Sequence, residues 1–472
     1  MKTSFDYELI VIGGGSGGHA AAHKAVSLGL KTALIENAEE LGGLCILKGC
    51  MPSKALIETA NRMRIIRDAA RFGIEAAPPE LNVEVFRKRV HELLKDFKDA
   101  RVSEMENGDY LLVRAKARFI GDHELELTDH MGAISHLTAK TFIIATGSSV
   151  NIPDVPGLEG TPYWTSDDLR GFPFLPKRIA IMGAGAIALE SAHLFEGLGS
   201  EVVMIARGEH MLSGHDADLS AAMEAETTER GIRFFNNATV ENVGYDAGEF
   251  SLTLAGRDEK LEFDALMIAT GRTPRTKGLG LEAIGVAREE GRILTDERSV
   301  TSISHIFAAG DCSSPHPVVH MAVIQGEVAA KNAHRFLHED HSTTAAEWNR
   351  DSIMNAWFTE PQAVMIGVSE KEALEKGIPI QIGKTDYQDH GKGMIAGSRH
   401  GFLKVIASAS DGRLLGAVGL GPEVAETGHL LQHAIEQGLT FTDYLALPHY
   451  HPTFAEAWSR AVEDIYEAQQ PK

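Results

Sequence analysis

Two glycine-rich turns, each preceded by an apolar strand, constrain the fold of this chain more than any other feature. The run Tyr7–Ile12 (YELIVI) ends at residues 13–18 (GGGSGG), and the small residues that follow suit a packed helix. The run Arg178–Met182 (RIAIM) leads into residues 183–188 (GAGAIA) and a second helix. In such turns the glycines let the backbone approach a pyrophosphate, which binds at the helix N-terminus. The sequence therefore predicts an α/β protein with two Rossmann-like dinucleotide-binding folds, between which electrons or hydride pass.

The first turn supplies four candidate cofactor-binding residues, Gly13, Gly15, Gly17 and Gly18. A second strand, KTALIE, ends at Glu36, whose carboxylate can accept hydrogen bonds from a ribose diol. A glycine-rich turn that serves only close packing is the alternative. Both strands and the acid stand where a dinucleotide site requires them, and this favours the site.

The second turn supplies the candidates Gly183, Gly185 and Ala188. The strand after its helix, EVVMI, is followed by Ala206 and Arg207, at the point where NAD enzymes carry an acid. An arginine favours the 2′-phosphate of NADP, which a carboxylate would repel. The loop therefore favours NADPH over NADH, and a surface arginine with no ligand is the alternative.

Three more apolar strands end in short turns and read TFIIATG, LMIATG and HIFAAGD. Ligands of α/β sheets bind at the carboxyl ends of the strands. We therefore expect Thr146, Gly147, Gly271, Gly310 and Asp311 to lie at cofactor sites.

The segment GGLCILKGCMPSK holds two of the three cysteines of this 472-residue chain, Cys45 and Cys50. In an ideal helix residues five apart have Cα atoms about 8.7 Å apart, whereas a disulfide needs roughly 4.4–6.8 Å. A bridge thus requires a distorted turn, which Gly49 makes possible. So small a loop restrains little chain entropy, which favours a redox-active pair over a structural one. A zinc half-site is the alternative, but Cys312 stands alone, and no metal site is predicted.

Charge and composition exclude several classes of protein. The net charge is −21 and the pI near 5.4, whereas nucleic acids and anionic membranes attract basic surfaces. The sequence shows no apolar run of the roughly 18 residues that a membrane span needs, and no segment like a signal peptide. With so few cysteines, a reducing, cytoplasmic location is expected.

Taken in order along the chain, these motifs resemble the flavin-dependent pyridine nucleotide–disulfide oxidoreductases. The C-terminal segment LPHYHPTFAEAW completes the likeness, which runs through essentially the whole chain. The resemblance implies FAD, NADPH or NADH, and a homodimer. It also implies FAD-binding segments at 1–150 and 276–345, an NAD(P)-binding domain at 151–275, and an α+β dimerisation domain at 346–472.

The resemblance also implies roles for single residues. Cys45 is the thiol that meets the substrate disulfide, and Cys50 lies against the flavin. Lys54 lies by the flavin and pairs with Glu190. His451, oriented by Glu456, exchanges protons with the cysteine thiols of the other subunit in the dimer. Further cofactor-binding residues are implied at Gly43, Ala117, Val319 and Arg272.

The segments do not agree on the substrate. GCMPSK resembles dihydrolipoamide dehydrogenase, the second nucleotide loop resembles glutathione reductase, and IFAAGDC resembles mercuric reductase, which needs a further C-terminal cysteine pair that this sequence lacks. A small or protein-bound disulfide is the expected substrate. The alternatives are a glutathione-reductase-type enzyme and a flavin oxidase or transhydrogenase that does not act on disulfides.

Overall fold

The computed structural model describes residues 5–257, 259–339, 342, 344–398 and 400–469. The helices are, in chain order, α1 (Ser16–Ser27), α2 (Gly43–Leu47), α3 (Cys50–Arg67), α4 (Val83–Glu106), α5 (Ala186–Leu198), α6 (Ala217–Glu229), α7 (Val319–Leu337), α8 (Glu370–Glu375), α9 (Gly391–Ala396), α10 (Val424–Thr427), α11 (His429–Glu436), α12 (Phe441–Leu445) and α13 (Ala457–Ala468). Single 3₁₀ turns occupy Asp68–Phe72, Ser166–Gly171, Gly310–Cys312 and Tyr387–Asp389.

The strands before the middle of the chain are β1 (Tyr7–Ile12), β2 (Thr32–Ile35), β3 (Leu111–Val113), β4 (Ala115–Gly121), β5 (Glu124–Asp129), β6 (Ile134–Ile144), β7 (Ser148–Val150), β8 (Trp164–Thr165), β9 (Arg178–Met182), β10 (Glu201–Ile205), β11 (Arg233–Phe235) and β12 (Val240–Asp246). The later strands are β13 (Glu249–Leu254), β14 (Lys260–Phe263), β15 (Ala265–Ile268), β16 (Arg272–Pro274), β17 (Arg288–Glu289), β18 (Arg292–Ile293), β19 (Ile306–Ala308), β20 (Met354–Trp357), β21 (Gln362–Gly367), β22 (Ile380–Asp386), β23 (Phe402–Ser408) and β24 (Leu414–Gly421).

One compact unit comprises residues 1–52, 88–151 and 272–349. Its sheet has the order β3-β2-β1-β6-β5-β4, and β19 also pairs with β6. Five of these strands run parallel: β3, β2, β1, β6 and β19. The other two, β5 and β4, extend the sheet as antiparallel strands. Leu9, Ile10 and Val11 on β1 are all fully buried, as expected of a parallel strand covered on both faces.

The other unit comprises residues 53–87, 152–271 and 350–472. It contains a parallel sheet of order β11-β10-β9-β15-β8 and an antiparallel sheet β12-β13-β14. Its C-terminal part is an antiparallel sheet of order β20-β21-β24-β23-β22, against which α13 packs. The predicted fold class, two Rossmann-like folds with a C-terminal α+β domain, is confirmed.

A buried lysine on β23 binds carboxylates at the start of α6 and in α8. The Lys404 side chain is fully buried, and its Nζ donates hydrogen bonds to Asp216, Asp218 and Glu370 at 2.8, 2.9 and 3.0 Å. The Asp216 carboxylate also accepts from the N–H groups of Glu370 and Lys371, in the first turn of α8. Each carboxylate thus gains a donor inside the protein.

Among the described residues, no helix combines the length and the apolar character that crossing a membrane requires.

Candidate active site

The first glycine turn is close-packed on one side and open on the other. Gly13 has φ +105°, and a Cβ there would lie 2.4 Å from the carbonyl oxygen of Ala145. A Cβ on Gly18 would lie 1.8 Å from the carbonyl oxygen of Gly13. At Gly15, which caps α1, a Cβ would meet no atom within 4 Å. The N-terminus of α1 therefore opens onto free space, as a pyrophosphate cradle must.

The residues around this turn hold its shape. Glu36 directly follows β2, and its carboxylate accepts hydrogen bonds from the N–H groups of Gly14 at 2.7 Å and Ala38 at 2.6 Å. A Cβ on Gly17 would lie 2.9 Å from the Ala322 carbonyl oxygen, so α1 and α7 touch there. Gly43, with φ +77°, brings the start of α2 to the same turn, since a Cβ there would lie 2.9 Å from the Cα of Gly15.

A chain of polar contacts joins three strand ends of the same unit. The Asp311 carboxylate accepts a hydrogen bond from the Ser148 hydroxyl at 2.6 Å. The same Ser148 oxygen accepts from Arg272 Nε at 2.8 Å. The structure therefore brings together Asp311 and Arg272, which sequence reasoning named, through Ser148, which it missed. The sequence signal that could have identified Ser148 was its position directly after the ATG turn.

The other predicted residues of this unit lie at strand and helix ends or in the core. Thr146 donates its hydroxyl to the carbonyl of Arg275 at 2.6 Å, and Gly147 and Gly310 have φ of +68° and +74°. Val319 is the first residue of α7. Ala117 is buried at mid-strand in β4, so only its backbone can reach a ligand.

The second glycine turn repeats the design of the first. Gly183 has φ +131°, and a Cβ there would lie 2.3 Å from the carbonyl oxygen of Ala269 and 3.3 Å from the Cβ of Ala188. A Cβ added at Gly185, which caps α5, would meet no atom within 4 Å. The same holds for Gly271, which has φ +108°. The cradle therefore fits a second dinucleotide.

Arg207 is exposed at the edge of the sheet where this turn lies. It stands two residues after β10, whose last residue, Ile205, accepts a hydrogen bond from the Gly183 N–H at 2.8 Å. A cation at this edge can meet a phosphate of a nucleotide bound at the turn.

The two cysteines lie on either side of a helix break. Cys45 is in α2, which ends at Leu47, and Cys50 begins α3. The expected distortion is therefore present. At this break the backbone of Gly49 passes close to that of Cys45, and a Cβ on Gly49 would lie only 3.3 Å from the Cα of Cys45. Both cysteines are half-buried, and hydrogen bonding to the Cys50 side chain, with burial, raises the pKa of the Cys45 thiol.

Lys54 lies one helical turn after Cys50 in α3, and its Nζ is 2.8 Å from Oε2 of Glu190 on α5. The other oxygen of Glu190 accepts a hydrogen bond from the N–H of Phe358 at 3.1 Å. The Phe358 ring lies under the ammonium group, with its centroid 4.5 Å from Lys54 Nζ. The predicted pair is thus formed and fixed by Phe358, which no motif indicated.

His451 and Glu456 form the predicted dyad, with Nδ1 of the imidazole 2.9 and 3.0 Å from the two carboxylate oxygens. The His451 side chain is 71% exposed, whereas that of Glu456, just before α13, is 14% exposed. His449 instead bonds through Nε2 to the carbonyl of Tyr444 at 3.1 Å, in keeping with a structural role. An imidazole held at Nδ1 by a carboxylate presents Nε2 for proton transfer.

Two family models match this chain. Residues 7–326 match the model described as pyridine nucleotide-disulphide oxidoreductase, and residues 353–462 match the dimerisation domain of the same family. The chain belongs to the pyridine nucleotide-disulphide oxidoreductase family.

Known proteins resemble the chain along nearly its full length. The dihydrolipoyl dehydrogenase of Chlamydia muridarum is 32% identical over 98% of this chain and 97% of its own. The glutathione reductase of a Nostoc species is 30% identical over 96% of this chain and 98% of its own. LpdA from Mycobacterium tuberculosis, at 24% identity, shares the fold with a TM-score of 0.86 over 97% of this chain and 99% of its own.

Membership makes the protein a flavoprotein oxidoreductase that uses FAD, with NADH or NADPH as the electron donor. The open cradles at Gly15 and Gly185 fit these two dinucleotides. The match of residues 353–462 to the dimerisation domain supports a homodimer.

Proposed function

We propose that this family member reduces a substrate disulfide with the Cys45–Cys50 pair, using electrons that NADPH delivers through FAD. The observation that carries the proposal is the position of both thiols at the break before α3, with the Lys54–Glu190 ion pair one turn further on. Bound FAD supplies the conversion of a hydride into an electron pair that reduces a disulfide.

The exchange itself uses groups of this chain. The Cys45 thiolate attacks one sulfur of the substrate disulfide and releases the other as a thiolate. Cys50 then attacks the sulfur of Cys45, which frees the second substrate thiol and leaves a Cys45–Cys50 disulfide. His451 accepts the proton of the attacking thiol through Nε2 and returns it to the departing thiolate, while Glu456 holds its Nδ1–H. One substrate disulfide and two protein thiols thus become two substrate thiols and one protein disulfide.

The proposed cofactor sites follow the two glycine turns. For FAD they comprise Gly13, Gly15, Gly18, Glu36 and Asp311, with residues 1–150 and 276–345 as the binding segments. For the nicotinamide nucleotide they comprise the turn at residues 183–188 within 151–275, and the exposed Arg207 guanidinium supports a preference for NADPH.

Residues 346–472 are proposed to form the dimer interface, with His451 serving the cysteines of the partner subunit. The high exposure of His451 in the single chain supports this arrangement, since a proton-transfer group needs an open face toward its substrate. A reducing, cytoplasmic compartment suits a Cys45–Cys50 pair that works as a dithiol.

Lipoamide and glutathione disulfide are the candidate substrates, suggested by the relatives named dihydrolipoyl dehydrogenase and glutathione reductase. The test measures oxidation of NADPH and NADH by the FAD-loaded enzyme with each disulfide, with Cys45→Ser as the control. Turnover that requires Cys45 supports the proposal. Turnover of NADPH with oxygen alone, unchanged in Cys45→Ser, would instead identify a flavin oxidase.

A further inference from the structure

Glu456 has a second imidazole neighbour besides His451. The His390 side chain, just before α9, is only 2% exposed, and its Nε2 lies 3.6 Å from Oε1 of Glu456. The Nδ1 of His451 lies 2.9 Å from Oε2 of the same group. One carboxylate therefore faces a buried imidazole as well as the exposed imidazole of the dyad.

The surroundings of His390 determine which ring nitrogen carries its proton. Nδ1 accepts a hydrogen bond from the N–H of Gly393 at 3.3 Å, where His390 caps α9. Burial lowers the pKa of His390, so the ring is neutral at neutral pH. A neutral imidazole that accepts at Nδ1 carries its proton on Nε2. The N–H of His390 is therefore on the nitrogen nearer Glu456.

This N–H has no other partner in the part of the chain that the structure describes, although the Nε2 atom is buried. Among the described residues, Arg460 on α13 and His451 are further charged groups that act on this imidazole, and the ring of the buried Tyr387 stands edge-on at 5.7 Å. Lys392 lies over the Phe454 ring, which also packs on His390. Of these groups only Glu456 offers a carboxylate, whose Oε1 lies 3.6 Å from Nε2, slightly beyond the usual hydrogen-bond distance.

We propose that His390 is a positioning residue for the His451–Glu456 dyad: its Nε2–H holds the Glu456 carboxylate in the orientation that binds His451 Nδ1. This inference rests on the proposed function, in which the dyad moves protons for the thiols. A largely exposed imidazole loses conformational freedom when it is held in one orientation. A carboxylate anchored to the buried imidazole of His390 lowers this cost, because its own orientation is already fixed.

Two matched variants separate this role from mere packing. His390→Asn keeps an acceptor for the Gly393 N–H but lacks the group that reaches Glu456. His390→Gln carries an amide N–H near the position of Nε2. Because general acid–base catalysis contributes roughly 100- to 10,000-fold, partial loss of orientation should slow disulfide reduction about three- to tenfold in the Asn variant. The Gln variant should recover most of this rate, and flavin reduction by NADPH should be unchanged in both.

A second readout does not depend on disulfide turnover. The rate at which diethyl pyrocarbonate modifies His451, followed by mass spectrometry on the dimer, reports the nucleophilicity of its Nε2. We expect slower modification in His390→Asn, recovery in His390→Gln, and no effect of His390→Asn in a Glu456→Gln background. Unfolding temperatures of all variants control for loss of the fold.

Two results would overturn the role of His390: modification of His451 that is unchanged in His390→Asn, or a Gln variant as impaired as the Asn variant. If the wild-type enzyme reduced no disulfide, the proposed function would fail, and the modification rates would still decide the role of His390.

Discussion

The Lys54–Glu190 pair gives the sharpest prediction about electron entry. Glu190→Gln removes the charge but keeps an oxygen that can accept from the Phe358 N–H. At the 2.8 Å separation an effective dielectric of about 20 gives a gross attraction of about 6 kcal/mol. Lys54 is one-third exposed and Glu190 13% exposed, so desolvation and solvent screening reduce the net value to about 1–2 kcal/mol. Without its partner the ammonium group leaves its place over the Phe358 ring.

The expected result is a five- to thirtyfold slower reduction of FAD by NADPH, at about 1.4 kcal/mol per factor of ten. Anaerobic stopped-flow absorbance measures this step directly. Phe358→Leu is the matched control, because it keeps the backbone N–H to Glu190 and removes only the ring, so its effect should be smaller. A rate in Glu190→Gln equal to that of the wild type would refute the argument that the ion pair holds Lys54 in place.

Three further predictions concern the nucleotide, the buried charges and the dimer. Arg207→Glu should shift the preference from NADPH toward NADH by about five- to a hundredfold, or roughly 1–3 kcal/mol, and kcat/KM for both nucleotides measures it; a wild type that already prefers NADH strongly would show that Arg207 does not read the phosphate. Lys404→Met should destabilise the fold by about 3–5 kcal/mol because it leaves the buried Asp216 carboxylate without its cation. Burial opposes ionisation of Asp218, but hydrogen bonds from Lys384 and Lys404 outweigh burial and lower the pKa of this carboxyl group. The contribution of the ionised Asp218 to the free energy of unfolding is therefore present above the ordinary carboxyl pKa and is lost as pH falls through the lowered pKa of the folded state. Denaturant unfolding at pH 7 and below 4 should therefore show a difference between variant and wild type that shrinks in acid. Mixing Cys45→Ser with His451→Ala subunits should restore disulfide reductase activity, because half the sites of a heterodimer then carry neither change if His451 acts in trans; mixtures as inactive as their parents would place His451 in cis.

The glycine turns could be predicted from the sequence because their geometry demands particular residues. A Cβ at Gly13, Gly18 or Gly183 would collide with a carbonyl oxygen, so only glycine fits there, and Gly13 and Gly183 also have positive φ. The break between Cys45 and Cys50 was predictable for the same kind of reason, since an unbroken helix holds these residues too far apart.

The partners that fix the functional side chains were not predictable in this way. Phe358 reaches Glu190 through a backbone N–H, a contact that any residue type except proline can make. Ser148 joins Arg272 to Asp311 across 124 and 163 residues of sequence, and His390 meets Glu456 across 66. These contacts follow from the packing of distant segments and leave no local pattern.

Anaerobic reductive titration of the FAD-loaded enzyme tests the central claim, a redox-active Cys45–Cys50 pair, most directly. With two electrons per subunit, the wild type should develop a long-wavelength charge-transfer band between the Cys50 thiolate and the flavin. Cys45→Ser should show this band without added electrons and should lose disulfide turnover, while Cys50→Ser should lack the band. A wild type in which two electrons only bleach the flavin, or a Cys45→Ser enzyme that still reduces disulfides, would contradict the account.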